Sequence, residues 1–138
     1  MKARKRLVID TNAFVSRLLL PNSIPARAVR KAMDSGALLV SEATLNELAD
    51  VVSRPKFDVY VTLEERQQFL RLLARIVEMV PIVYRIRVCR DPKDDRILEV
   101  AVNGSADFIV TGDRDLLSLD RFQNVRILSP AAYLDIQF

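Results

Sequence analysis

Two acidic residues of this sequence each follow a short apolar stretch. Asp10 comes directly after residues 7–9, and Asp113 lies three positions after residues 108–110. Short apolar runs with several β-branched residues are typical of strands that are buried on both faces in the middle of a parallel sheet. The carboxyl ends of such strands border the ligand crevice of an open α/β sheet. The two acids are therefore expected in one acidic cleft at the same edge of the sheet.

Two further acids lie on helices that the sequence predicts. Glu47 points away from the apolar stripe of a helix over residues 42–52, so it faces either water or the cleft. Asp94 precedes apolar residues of a later helix by three, four and seven positions, so it shares their inward face. Asp95 is rotated from that face by about 100°, and it takes the place of Asp94 if the helix begins one residue later. We expect Asp94 to face the cleft.

Carboxylates gathered in one crevice repel one another, so either their pKa values rise or a cation neutralises them. Hard oxygen ligands of this kind suit Mg²⁺ or Mn²⁺. The sequence contains no histidine, which excludes a histidine-based triad and a histidine-bound zinc ion. A cation can activate water and stabilise charge on a phosphoryl oxygen, so phosphodiester hydrolysis is the predicted reaction class. Taken singly, each acid could instead cap a helix, form a turn or lie on the surface.

Basic residues are slightly in excess, with 21 lysines and arginines against 18 acids, and they are unevenly placed. They gather at residues 2–6, 27–31 and 85–90. Arg85 and Arg87 alternate with apolar neighbours, so both project from one face of an extended segment. Such a stripe either holds a phosphate backbone or is ordinary solvated surface.

The elements that position these residues alternate along the chain. Apolar stretches predict strands at residues 7–9, 37–40, 107–110 and 125–128, and an extended segment at 82–88. Caps and amphipathic patterns predict helices at residues 13–20, 24–35, 42–52, 63–80, 94–103 and 116–119, and a last one from 130. This alternation predicts an α/β fold whose parallel sheet is covered by helices on both faces.

Length and composition favour one domain over residues 1–138. Half of the residues are hydrophobic, which suffices for a core, and there is no low-complexity tract. No apolar run approaches the ~20 residues of a membrane helix, and the basic N-terminus lacks the apolar segment of a signal peptide. Cys89 is the only cysteine, which agrees with a reducing compartment. We therefore expect a cytoplasmic protein with no membrane association.

Four segments together resemble the PIN domain family, and in particular the toxin components of toxin–antitoxin systems. They are Asp10-Thr11-Asn12, Glu47 after Ser41-Glu42, Arg90-Asp91-Pro92-Lys93-Asp94, and Thr111-Gly112-Asp113. The resemblance spans essentially the whole chain, with the segments in the right order and spacing. It implies a three-layer α/β/α sandwich with a central, mainly parallel β-sheet.

The same resemblance implies an activity and partners. The activity is that of an endoribonuclease dependent on Mg²⁺ or Mn²⁺. Its catalytic and metal-binding acids match Asp10, Glu47, Asp94 and Asp113, and its supporting residues match Asn12, Asp95, Thr111 and Asp115. The implied partners are an RNA substrate, a small antitoxin protein that fills the cleft, and further copies of the chain in a homodimer or higher homo-oligomer.

Two functions of other classes remain open from the residues alone. A PIN-like module with a weak or silent site would act by binding RNA or a protein, because retained acids do not demonstrate turnover. A phosphatase or phosphotransferase would use Asp10 as a covalent nucleophile, since a strand followed by Asp-x-Asn also suits that chemistry.

Overall fold

A six-stranded β-sheet forms the centre of the computed structural model, which describes residues 4–137. Its strands are β1 (Arg6–Ile9), β2 (Ala37–Val40), β3 (Glu78–Met79), β4 (Phe108–Val110), β5 (Arg121–Phe122) and β6 (Val125–Leu128). They lie in the order β3-β2-β1-β4-β6-β5. All neighbouring pairs are parallel except β5 and β6, which form an antiparallel hairpin at one edge. The predicted α/β fold with a mainly parallel sheet is confirmed.

Helices connect the parallel strands, as crossover connections in such a sheet require. They are α1 (Thr11–Leu19), α2 (Ile24–Ser35), α3 (Glu42–Val52), α4 (Leu63–Ile76), α5 (Pro92–Asn103), α6 (Arg114–Leu119) and α7 (Pro130–Asp135), with a short 3₁₀ helix at Pro55–Phe57. Serine and threonine caps begin four of them, at Ser23, Ser41, Thr62 and Ser129. Within residues 4–137, the helices are all too short or too polar to cross a lipid bilayer.

Two hydrophobic cores lie on opposite faces of the sheet, because successive side chains of a strand point to opposite sides. Leu7 and Ile9 of β1 belong to one core, together with buried residues of α1, α2, α3, α4 and α7. Val8 belongs to the other core, which includes Ile97, Leu98 and other residues of α5. The sheet is thus covered on both faces, and its carboxyl edge remains open between the two layers.

Several boundaries differ from those predicted from the sequence. Helix α5 begins at Pro92 rather than at residue 94, and α6 begins at Arg114 rather than at residue 116. Helix α1 begins at Thr11 rather than at residue 13, because Asp10 accepts a hydrogen bond from the backbone N–H of Ala13 and so caps the helix. Helix α4 ends at Ile76, which is 41% exposed, rather than at residue 80. The residues that follow leave the helix to form the edge strand β3, which the sequence reading assigned to the helix.

The segment of residues 83–89 is held by helix α5 and not by a strand. Asp95, Glu99 and Asn103, spaced four residues apart, accept hydrogen bonds from its backbone N–H groups. The pairs are Val83 N and Tyr84 N to Asn103 Oδ1 at 2.9 Å each, Ile86 N to Glu99 Oε2 at 2.9 Å, and Val88 N and Cys89 N to Asp95 Oδ1 at 3.0 and 2.8 Å. This spacing places the three acceptors on one face of the helix. We call residues 83–89 the strap.

Candidate active site

A cavity of about 670 Å³ opens at the carboxyl edge of the sheet, where β1 and β4 end. Helices α1, α3, α5 and α6 and the 3₁₀ helix contribute most of the other walls, with Pro25 of α2 and Pro130 of α7. Seven of the eight residues predicted for the site line it, namely Asp10, Asn12, Glu47, Asp94, Thr111, Asp113 and Asp115. The topology therefore brings together residues that are up to 105 positions apart in the sequence.

Asp95 is the eighth, and the structure places it elsewhere. Its Oδ1 accepts the backbone N–H groups of Val88 and Cys89 in the strap. Those hydrogen bonds lower the pKa of Asp95, although its partial burial acts in the opposite direction. Asp95, predicted as a supporting residue, therefore does not line the cavity in this structure. It anchors the strap, because one position along a helix turns a side chain by about 100°.

Asp10 is fixed at the bottom of the cavity by hydrogen bonds to both of its carboxylate oxygens. Its Oδ1 accepts the N–H of Ala13 at 2.9 Å. Its Oδ2 accepts the hydroxyl of Thr111 at 2.5 Å and the N–H of Gly112 at 3.3 Å. Thr111 is fully buried and its Oγ1 also accepts the N–H of Asp113 at 3.0 Å. The ends of β1 and β4 are thereby joined through side chains of the site itself.

Three further carboxylates converge on one part of the cavity wall. Asp94, Asp113 and Asp115 each offer one oxygen, and these oxygens lie within 4.8 Å of one another. Burial, a hydrogen bond with Asp113 and the negative charges of Asp113, Asp91 and Asp115 raise the pKa of Asp94 to about 7. Burial is the largest of these causes, and the neighbouring negative charges add to it.

The donor set of this wall fits a hard divalent cation. Two oxygens bound to one Mg²⁺ ion lie at most about 4.2 Å apart, because each is about 2.1 Å from the ion. Oxygens within 4.8 Å of one another therefore need only small side-chain movements to bind the same cation. Such a cation would also remove the repulsion that raises the pKa of Asp94.

Glu47 lies in the cavity beside the ammonium group of Lys93. Its side chain is only 13% exposed, and its Oε1 is 3.5 Å from the ammonium nitrogen of Lys93. Its Oε2 accepts the hydroxyl of Thr11 at 3.2 Å. Lys93 belongs to helix α5, so this pair connects α5 to α3 across the mouth of the cavity.

The basic residues that line the cavity are Arg54, Lys56 and Lys93. Arg54 and Lys56 are isolated along the chain and belong to no basic run, whereas Lys93 lies in the segment Arg90-Asp91-Pro92-Lys93-Asp94 that resembles the PIN family. Arg54 and Lys56 flank Pro55, which follows helix α3 and begins the 3₁₀ helix. Their position beside this proline was the only feature of the sequence that could have pointed to them. Arg90, which was in a predicted basic group, lies near the rim and contacts Asp115 at 3.3 Å.

Several residues of the predicted basic groups have structural roles instead. Arg6 binds Glu78 and the carbonyl of Gly104, which connects β1 to β3 and to the end of α5. Lys31 donates hydrogen bonds to the carbonyls of Tyr133 and Ile136 in and after α7. Lys2, from the first group, lies outside the described residues.

Comparison with known proteins identifies the family to which this arrangement belongs. A family model of the PIN domain matches residues 6–115. The chain belongs to the PIN domain family. Members of this family are generally nucleases that use divalent metal ions, which agrees with the acidic cavity.

Known proteins that are similar to the chain cover most of its length. The Uncharacterized protein MJ1680 of Methanocaldococcus jannaschii is 33% identical over 122 residues, which are 86% of this chain and 77% of that protein. The crystal structure of VapBC2 from Rickettsia felis, bound to a DNA fragment from its promoter, superimposes with a TM-score of 0.62 at 16% identity, over 90% of this chain and 98% of the other. The PIN domain endonuclease Utp24 superimposes with a TM-score of 0.54 at 16% identity, over 90% and 84% of the two chains. These superpositions support the PIN fold.

Proposed function

We propose that the chain is an endoribonuclease that hydrolyses RNA phosphodiester bonds with the help of Mg²⁺ or Mn²⁺. The observation that carries this proposal is the convergence of Asp94, Asp113 and Asp115 in a cavity that arginine and lysine side chains border. Phosphodiester cleavage needs both components, because negative charge develops on the phosphoryl group while a polyanionic strand must be held in place.

Asp94 and Asp113 are proposed as catalytic cation ligands, and Asp115 joins them because its oxygen belongs to the same cluster. Asp10 and Glu47 are proposed as further ligands, since both line the same cavity. Three of the four lone-pair positions of Asp10 accept hydrogen bonds, which leaves one position at Oδ1 for a cation or its water. A divalent cation held by these carboxylates would supply the charge that activates water and stabilises the phosphoryl oxygens.

The remaining residues of the cavity orient these acids and the substrate. Thr111 holds the Asp10 carboxylate and the turn that presents Asp113. Lys93, Lys56 and Arg54 project from the rim, where they would bind phosphate groups of the strand on either side of the scissile bond. Asn12 adds an exposed amide to the cavity wall, which can donate to a ribose hydroxyl or a phosphate.

The phosphatase alternative makes a different demand on Asp10. A covalent carboxylate nucleophile must direct an oxygen with a free lone pair at phosphorus. Oδ2 of Asp10 already accepts two hydrogen bonds, so only the free position of Oδ1 could attack, and that is the position proposed for a cation or its water.

We further propose that the enzyme is the toxin of a type II toxin–antitoxin pair and acts in the cytoplasm. The fold shared with VapBC2 supports this assignment. A small antitoxin would cover the acidic cavity, and the chain would form a homodimer or higher homo-oligomer. Exposed apolar side chains on α4 support self-association, with Leu63, Leu72 and Ile76 exposed by 63%, 44% and 41%.

The test is cleavage of a pool of structured RNAs by the wild-type protein and by Asp113→Asn, with Mg²⁺, with Mn²⁺ and with EDTA. The matched control is Asp34→Asn, which makes the same change at an exposed acid of α2 that does not line the cavity. We expect metal-dependent cleavage by the wild type and the control, and none by Asp113→Asn. The proposal is contradicted if Asp113→Asn cleaves RNA as well as the control does. It is also contradicted if all three proteins bind RNA equally and none cleaves it, which would favour a binding module.

A further inference from the structure

One wall of the active-site cavity comes from the connection between α3 and α4, residues 53–62. Arg54, Lys56 and Phe57 of this connection line the cavity that also holds the acidic cluster. Among residues 4–137, Phe57 is the one aromatic residue that does so. A cavity otherwise lined by charged, polar and aliphatic residues thus contains a single aromatic ring.

Phe57 does not serve as a core residue. It is partly exposed, and within the described part of the chain it belongs neither to the two hydrophobic cores nor to the partly buried residues packed against them. An aromatic ring left at the wall of a cavity is stabilised by a flat group that covers its face. The ring of Phe57 is therefore placed to contact a ligand of the cavity.

Hydrogen bonds of the main chain fix the backbone that carries this ring. The N–H of Phe57 donates to the carbonyl of Arg54 at 3.1 Å. Its own carbonyl accepts the N–H groups of Tyr60 and Val61 at 3.0 and 3.1 Å. Both polar groups of the Phe57 backbone are thus engaged within the connection.

A buried arginine fixes the connection on both sides of Phe57. Arg66 of α4 is only 2% exposed. Its guanidinium group donates four hydrogen bonds, to Val52 O at 3.3 Å, Arg54 O at 3.5 Å, Asp58 Oδ1 at 2.7 Å and Val61 O at 2.8 Å. Two of these partners precede Phe57 in the sequence and two follow it. A backbone that is already ordered lowers the entropic cost of binding a ligand on the ring.

A lysine accompanies the aromatic ring. Lys56 is exposed, and its ammonium nitrogen lies over the face of the Phe57 ring, 5.1 Å from the centroid. The cation–π contact of an exposed lysine is weaker than the stacking of a nucleobase on an aromatic ring, so a base can replace the ammonium on that face. The displaced ammonium is then free to bind a phosphate of the same strand. A ring and a cation side by side match the two parts of a nucleotide.

We propose that Phe57 is a stacking platform for an unpaired base of the RNA in the cavity, with Lys56 on a neighbouring phosphate. This inference rests on the proposed function, because it takes the strand in the cavity to be the substrate of the acidic cluster. Bases within a duplex are stacked on their neighbours, whereas the bases of single strands, loops and bulges can be splayed onto aromatic side chains. The substrate class is therefore RNA that is unpaired at the cavity, and the stacking tolerates any base, since every base has a π-face.

Tryptophan substitutions report this stacking directly, because the chain contains no tryptophan. Phe57→Trp keeps an aromatic ring at the cavity. The matched control is Tyr60→Trp, at a residue of the same connection that is 71% exposed and does not line the cavity. Each protein is titrated in EDTA with a single-stranded RNA, with the duplex of that strand and its complement, and with an abasic strand of equal length. We expect only the single strand to quench the fluorescence of Phe57→Trp, since a stacked base quenches indole emission, and Tyr60→Trp to change little with any of them.

Affinity is measured separately by fluorescence polarisation of the labelled single strand in EDTA. Phe57→Leu keeps an apolar side chain but removes the ring, and Tyr60→Leu is its control. Phe57→Leu should bind the single strand about tenfold more weakly than the wild type, which is the usual cost of losing one contact between a base and an aromatic ring. Phe57→Trp should restore the affinity, and Tyr60→Leu should retain it. All four variants should bind the abasic strand as the wild type does.

Equal affinity of wild type and Phe57→Leu for the single strand overturns the proposal. Equal quenching of Phe57→Trp by the single strand and by either the duplex or the abasic strand overturns it as well, because the ring would then not report an unpaired base. A cleavage assay in Mn²⁺ separates these outcomes from failure of the proposed function. Cleavage by the wild type with an unchanged KM in Phe57→Leu refutes the platform alone, whereas no cleavage by the wild type refutes the nuclease and leaves the titrations in EDTA to decide the platform.

Discussion

Cation binding at the acidic cavity should depend steeply on pH, and Asp94 sets the range. Burial, followed by the hydrogen bond and charge of Asp113, raises the pKa of Asp94 to about 7 from its ordinary value of 3.8. A cation ligand must lose its proton, so a cation has to displace the proton of Asp94 throughout the range in which that proton is bound. Cation affinity should therefore rise with pH up to about 7 and level off above it.

The size of the effect follows from the raised pKa. Below a pKa of about 7, the ionised fraction of Asp94 falls tenfold for each pH unit. The apparent affinity for Mn²⁺ should thus be about a hundredfold weaker at pH 5 than at pH 8, if the cation requires the ionised form. A carboxyl group with an ordinary pKa of about 4 would change the affinity by only about 10% over the same interval.

Stability without the cation should vary in the opposite direction. Since the folded-state pKa of Asp94 lies above the unfolded value, the folded protein binds this proton more strongly. The resulting stabilisation is fully present below about pH 4 and is lost as pH rises through about 7. We expect the contribution of Asp94 to lower the Tm between pH 5 and 8, and Mn²⁺ to raise the Tm most at pH 8.

Isothermal titration calorimetry with Mn²⁺ at pH 5, 6, 7 and 8 measures this dependence. The wild type and Asp34→Asn should show the hundredfold change, whereas Asp94→Asn should bind weakly with little variation over that range. An affinity for wild type that is constant from pH 5 to 8 would refute the assignment of Asp94 as a cation ligand with a raised pKa.

Three other substitutions test separate parts of the structure. Lys93→Met should tighten Mn²⁺ binding about fivefold, because it frees Glu47 from a partly exposed ion pair worth about 1 kcal/mol. The calorimetric control is Lys56→Met, which removes a lysine from the same cavity but leaves the pair between Lys93 and Glu47 in place. Leu98→Ala should lower the free energy of unfolding by about 2–5 kcal/mol in urea denaturation, since Leu98 is fully buried; a loss below 1 kcal/mol would contradict its place in the core. Arg66→Leu should cost about 2–4 kcal/mol, because the buried guanidinium binds two buried carbonyls that would lose their donor; unchanged thermal unfolding would show that these contacts do not form.

The sequence was sufficient to predict the residues that depend on local pattern. Asp10 directly follows strand β1 and Thr111 directly follows β4, so both residues lie at the carboxyl edge of the sheet. The helical period similarly distinguishes Asp94 from Asp95, and the structure places only Asp94 in the cavity. Their roles in binding a cation stay predictions.

Features that depend on the relative placement of distant elements could not be predicted. The pair between Glu47 and Lys93 requires the distance between two helices, which no local pattern gives. The sequence shows the four-residue spacing of Asp95, Glu99 and Asn103, which anchor the strap. Polar residues at that spacing, however, usually face solvent on a surface helix. Only the packing of the strap against α5 distinguishes the two cases.

We infer that the carboxylates of Asp94, Asp113 and Asp115 hold the cation of this protein. Anomalous X-ray scattering from crystals grown with Mn²⁺ at pH 8 would locate that cation. We expect an anomalous peak in contact with oxygens of these three side chains, and no such peak in Asp113→Asn. A peak confined to acids outside the cavity, or no peak at saturating Mn²⁺, would show that these carboxylates do not hold it.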